Sequence, residues 1–209
     1  CVAAMRSAVG VPVTVKCRIG VDDQDPEEAL DRLADAVIGA GVSALWVHAR
    51  KAWLKGLSPK ENRDIPPLDY DRVRRLKARY PKVFIGINGG INDMATVAEL
   101  LTTLDGVMLG RAAYQEPALL GSVDRLVYGA ASDDADPFAV VERMRPHIAA
   151  HLAAGGRLSA FTRHMLGLFH KVPGARAWRR ILTEGGVKEG AGLEVIDAAL
   201  DALARRKAA

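Results

Sequence analysis

Two apolar runs in this chain end in glycine turns one strand–helix unit apart, and that spacing narrows its possible folds more than any other feature. Val83 to Ile87 breaks at Asn88-Gly89-Gly90, and Gly106 to Leu109 breaks at Gly110-Arg111. Glycine lets a backbone turn sharply and bring its N–H groups close to an anion. A guanidinium at the second turn suits the same ligand. Two such turns, joined by a helical pattern, describe the phosphate end of a (β/α)8 barrel, formed after its last two strands.

The rest of the first half repeats the alternation. A helix is expected over Val2 to Val9 and a β-branched strand over Val11 to Lys16, with Pro12 at its start. Asp25-Pro26-Glu27-Glu28 opens the next helix as an Asp cap with Pro at the first position and Glu at the third. Gly41 ends it. A strand at Ala44 to His48 follows, then a long polar segment, Ala49 to Pro67, and a helix from Asp69 to Tyr80. Asn92 is the expected cap of the helix carrying Val97, Leu100 and Leu101. Four strands alternating with helices require a parallel sheet, and four is half a barrel.

Past Ala112 the strand signal stops. Helices are expected over Pro137–Ala154, Leu158–His170, Ala175–Thr183 and Leu193–Arg206, divided by Gly-Gly or Pro-Gly breaks, with Pro146 offsetting the first. The expected fold class is α/β: the C-terminal half of a barrel over residues 1–132, a linker at Asp133–Asp136, and an all-α domain over 137–209. A sheet of this kind would leave its first and last strands unpaired on their outer sides.

Charge separates these regions further. Residues 50–82 carry eleven Lys and Arg against four acids, residues 156–209 ten against five, and the whole chain is only +4. Two basic blocks on an otherwise acidic chain suggest a polyanionic partner. Two cysteines, Cys1 and Cys17, are too few for a disulfide framework, and no Cys/His cluster has zinc spacing, so no metal and a reducing cytoplasm are expected.

The C-terminal ends of the strands collect the residues with chemistry: Lys16, His48, Asn88 and Arg111. Lys16 alone would be a surface lysine and His48 a structural histidine. On consecutive strands beside a phosphate turn, they suit FMN, because a reduced, anionic flavin needs cationic or donor groups near its ring. A phosphate-binding isomerase or aldolase without flavin, and an RNA-binding module without activity, are the competing classes.

The motifs VPVTVKCRIG, VHARKAWLKGLSPKENR, INGGI, DGVMLGRAAYQEP, TRHMLGLF and PGARAWRR run almost the whole length of the chain. Through them it resembles the tRNA-dihydrouridine synthases, in the A-type subfamily acting on uridines 20 and 20a of the D-loop. The resemblance implies a barrel carrying FMN and a helical domain that helps grip tRNA. It further implies NADPH as reductant, hydride delivery to C6 of uracil, and a cysteine acid that protonates C5. Lys16 and His48 match flavin-ring contacts, Asn88, Gly89 and Gly90 the phosphate-tail turn, and Gly110 and Arg111 a second phosphate contact. Lys60 and Arg63 match tRNA contacts, and Arg163, Arg176 and Arg179 follow the same pattern.

In that family the proton-donating cysteine and the first four strands precede the matched region, and the chain starts in mid-helix. It is therefore read as a C-terminal piece, without a catalytic residue of its own and inactive alone. Neither Cys1 nor Cys17 matches the acid, and Arg18 has no assigned role.

Overall fold

The computed structural model describes residues 1–207; Ala208 and Ala209, at the end of the expected helical domain, lie outside the described residues. The chain divides into two compact units, residues 1–110 and 111–209. The division falls ahead of Asp133–Asp136. That segment is held within the second unit, where the Ala135 N–H donates to the Gly121 carbonyl at 2.9 Å and Arg125 pairs with Asp134 at 2.7 Å.

The first unit begins with α1 (Val2–Ala8) and holds four parallel strands in chain order: β1 (Thr14–Arg18), β2 (Ala44–His48), β3 (Ile85–Asn88) and β4 (Gly106–Met108). Pairing is in register from Thr14 opposite Ala44 to Arg18 opposite His48, and His48 lies opposite Asn88, which lies opposite Met108. β1 starts after Pro12, which cannot donate to a ladder, and runs on to Arg18, two residues beyond the expected end.

Between the strands run α2 (Pro26–Gly39), α3 (Tyr70–Arg79) and α4 (Met94–Leu101). Asp25 caps α2 by accepting from the Glu27 N–H at 2.7 Å, while Glu28 faces Arg32 rather than closing the reciprocal half of a capping box. The cap of α4 is Asp93, which accepts from the Thr96 N–H at 2.7 Å; Asn92 stands one residue too early. A carboxylate there also takes the Thr96 hydroxyl, which fixes the choice.

Alternation along the strands splits their side chains between two faces. Leu45, Val47, Ile85 and Ile87 are fully buried, as are Leu30, Ala34, Val73, Leu76 and Leu100 of the helices. The opposite face carries Lys16, Trp46, Phe84 and Met108, with Trp46 and Phe84 packed at 5.5 Å between centroids. Gly86 lies beneath Trp46, where a β-carbon would enter the indole.

The second unit is built of helices: α5 (Arg111–Gln115), a 3-10 turn at Pro117–Ser122, α6 (Val123–Tyr128), α7 (Pro137–Ala153), α8 (Ser159–Met165), α9 (Ala175–Gly185) and α10 (Glu194–Lys207). Its core is Ile148, Leu158, Phe169, Trp178, Leu182, Ile196 and Leu203. Pro146 lies inside α7. α8 stops at Met165, short of the expected His170, and turns carry the chain to Gly174. At that end the Met165 carbonyl accepts from the Leu168 N–H and from the Trp178 indole N–H, each at 3.1 Å.

Candidate functional site

The register places the ends of β1, β2 and β3 side by side, and three expected residues meet there. The Lys16 ammonium reaches across β2 to donate to Asn88 Oδ1 at 3.2 Å, and Asn88 Nδ2 donates in turn to the Met108 carbonyl at 2.7 Å. One side chain thus ties three strand ends to a single cation. Partial burial lowers the Lys16 pKa, and the neighbouring Arg18 lowers it further. His48 is buried to 9% exposure in the strand between them.

The turn beside this pair has little room for side chains. Gly89 has φ +122°, and a β-carbon on it would stand 2.6 Å from His48 Cδ2; on Gly90, at φ +66°, it would stand 2.6 Å from Leu68. The Tyr70 hydroxyl donates to the Gly89 carbonyl at 2.6 Å, and the Asn88 carbonyl accepts from the Ala49 N–H at 2.9 Å. Backbone alone can line this mouth, at the carboxyl end of parallel strands where α/β proteins place their ligands. Among the described residues the Lys16 ammonium makes a single hydrogen bond, so donors remain for an electron-rich ligand.

Other expected residues fall elsewhere. Gly110 closes the first unit and Arg111 opens α5 in the second. Lys60 and Arg63 are exposed on the segment 49–67, around the 3-10 turn Glu61–Arg63. In the second unit Arg163, on α8, donates to His164 Nε2 at 2.9 Å, while His164 Nδ1 lies 3.1 Å from the Tyr114 hydroxyl. Arg176 and Arg179 project from α9 into solvent with Arg180, and none of the three forms an ion pair among the described residues.

Charge counting along the chain misplaced part of the basic surface. Five cations of the 50–82 block sit on α3, and each has a carboxylate partner there or on a neighbouring element: Arg72 with Asp31 at 2.5 Å, Arg74 with Glu99 at 2.6 Å, Arg75 with Glu27 at 2.5 Å, Lys77 with Asp105 at 2.7 Å, and Arg79 with Asp35 at 3.0 Å. The exposed cations of this block without a carboxylate partner in these ion pairs include Lys55 and Lys60 of the loop that precedes α3.

Sequence reasoning also missed Tyr70, which braces the glycine turn, and Asn62, which braces the separate loop over 49–67. Tyr70 looks like an ordinary first-turn residue, and only the closeness of Gly89 gives its hydroxyl a task. Arg18, which had no assigned role, donates from Nη1 to the carbonyls of Lys51 and Asn62, each at 2.8 Å. Cys17 points to the helix-covered face, away from Lys16. Burial pushes its thiol up to about 11, which makes it a poor proton donor near neutral pH.

A parallel sheet with helices between its strands, carrying a lysine, an asparagine and a bare glycine turn at its strand ends, defines an α/β protein followed by a helical unit with exposed arginines. More narrowly, this chain belongs to the dihydrouridine synthase family. The profile of the family described as Dihydrouridine synthase (Dus) matches residues 1–204.

The chain is also 55% identical over 196 residues to a tRNA-dihydrouridine(20/20a) synthase of Shewanella oneidensis, covering 94% of this chain and 58% of that protein. Proteins of the same name from Salmonella typhimurium and Escherichia coli K12 are 52% and 51% identical over 208 residues, 99% of this chain and 63% and 60% of theirs. The chain therefore spans about three-fifths of the length of these curated relatives.

Proposed function

We propose that this chain forms the second half of an FMN-binding (β/α)8 barrel together with a tRNA-gripping helical domain, in a cytoplasmic enzyme that reduces uridines 20 and 20a of the tRNA D-loop to 5,6-dihydrouridine. The observation that carries the reading is the Lys16–Asn88 bond beside buried His48 and the glycine turn. FMN, recharged by NADPH, would supply the hydride. Lys16 and His48 hold the flavin ring, Asn88 keeps Lys16 aimed, and Gly89 and Gly90 let backbone approach the phosphate tail. Gly110 and Arg111 give that tail its second contact.

Around the mouth, Lys60 and Arg63 grip tRNA phosphates, with Arg163, Arg176 and Arg179 as further contacts from the helical domain. A target uridine has to leave its stack to be reduced, and grips on the surrounding backbone hold the RNA while it does so. The proton for C5 comes from a cysteine that these 209 residues do not supply, in keeping with the raised thiol of Cys17. In this reading the barrel portion covers residues 1–132 and the helical domain 137–209.

The test is dihydrouridine formation, followed by mass spectrometry, when the full-length protein is given FMN, NADPH and unmodified tRNA. Changing Lys60 and Arg63 together to alanine should raise the tRNA requirement and leave reduction of the flavin by NADPH intact. No dihydrouridine with any tRNA, from protein that retains flavin, would refute the reaction; equal tRNA affinity in the double variant would remove the loop from the RNA face.

A further inference from the structure

The segment 49–67 is nineteen residues long, well beyond an ordinary strand-to-helix connection, and long ordered loops of this kind are usually functional. It is also heavily pinned. The Ala52 N–H donates to the Gly20 carbonyl at 2.9 Å, the Asp22 N–H returns a bond to the Ala52 carbonyl at 2.7 Å, and the Leu54 N–H donates to the Asp22 carboxylate at 2.7 Å. Ser58 and Glu61 cap the 3-10 turn reciprocally, at 2.8 and 3.3 Å.

At the centre is Asn62, 8% exposed between exposed Glu61 and Arg63. Each of its polar groups is used. Its Oδ1 accepts from the Trp53 N–H at 2.7 Å and its Nδ2 donates to the Trp53 carbonyl at 2.6 Å, so the carboxamide pairs with Trp53 as another peptide would. Its own N–H donates to the Ser58 carbonyl at 3.0 Å, and its carbonyl accepts from Arg18 at 2.8 Å. No other side chain of this length offers a donor and an acceptor in one plane: aspartate lacks the donor.

We infer that Asn62, backed by Arg18, is a positioning residue that holds the loop in the shape in which Lys60 and Arg63 meet the phosphates of a folded RNA. The inference rests on the tRNA reading above. Asn62 needs no contact with RNA itself. It sits two residues from Lys60 and one from Arg63, and it sets the turn from which both project, so its loss disperses contacts that are otherwise made together.

The experiment is a double-mutant cycle on tRNA affinity in the full-length protein: wild type, Lys60→Ala, Asn62→Ala and the pair, each across a salt series. Asn62→Ala is expected to weaken binding about tenfold, as loss of a buried, fully used hydrogen-bonding group does. Lys60→Ala on top of it should then cost little more, and the salt dependence should become shallower by about one phosphate contact. Reduction of the flavin by NADPH without tRNA should be unchanged. Should Asn62→Ala fail to fold, Arg18→Lys, which keeps the charge and loses the two-carbonyl bridge, is put through the same cycle, with a weaker loss expected in the same direction. Wild-type affinity in the Asn62 variant, or fully additive losses, overturns the inference alone. No loss from Lys60→Ala by itself sinks the tRNA reading of the loop, and the inference with it.

Discussion

α3 and α9 are nearly the same length, ten and eleven residues, and both are rich in arginine, but they treat their charge in opposite ways. On α3 the arginines look inward and sideways. Arg72, 1% exposed, donates to the carbonyls of Pro26 and Glu27 at 3.0 Å and pairs with Asp31; Arg75 and Arg79 reach Glu27, Asp31 and Asp35 of α2. On α9 only Trp178 and Leu182 are buried, and Arg176, Arg179 and Arg180 occupy the other face without carboxylates among the described residues. The cations of a basic helix are thus tied down or left open to solvent according to whether acids are placed to meet them.

The sharpest way to break this contrast is Arg72→Ala. Removing this buried guanidinium strands the Pro26 and Glu27 carbonyls and should cost about 2 kcal/mol of stability, seen as a lower urea midpoint, with no loss of RNA affinity in the folded protein. A triple change of Arg176, Arg179 and Arg180 to alanine should do the reverse. Stability should stay within about 0.5 kcal/mol, as is usual for exposed positions, while tRNA affinity falls about tenfold and its salt slope becomes shallower by about 2. An unchanged slope would make α9 an ordinary solvated face. The smallest effect belongs to Arg75→Ala combined with Arg79→Ala, which are exposed but paired. Filter binding should give the wild-type tRNA affinity, and a clear weakening would mean that α3 contributes to the RNA face after all.

The same contrast explains what could be read in advance. Strand order, the helices between strands and the glycine turn follow from local pattern: β2 occupies Ala44–His48 as expected, and Gly41 ends α2 with φ +81°. Lys16, His48 and Asn88 could be placed because strand ends in a parallel sheet share one edge. The destination of a charge could not be read. Whether Arg72 faces Asp31 or water depends on how α2 packs against α3, forty-one residues apart in sequence. Asn62 was hidden for a like reason: its partner Trp53 is nine residues away, across a loop without periodicity. The caps show a finer limit, since Asn92 and Asp93 are adjacent candidates and only the geometry of Thr96 decides between them.

The glycine turn beside Lys16, His48 and Asn88 is the proposed seat of the flavin. The most direct measurement is the visible absorption spectrum of the desalted full-length protein after FMN is added back, for wild type and for Gly89→Val, with circular dichroism confirming that both are folded. A side chain at Gly89 would collide with His48 and fill the space beside it. Flavin bands should stay with the wild type and be lost from the folded variant. A colourless wild type, or equal flavin content in both, would contradict that placement.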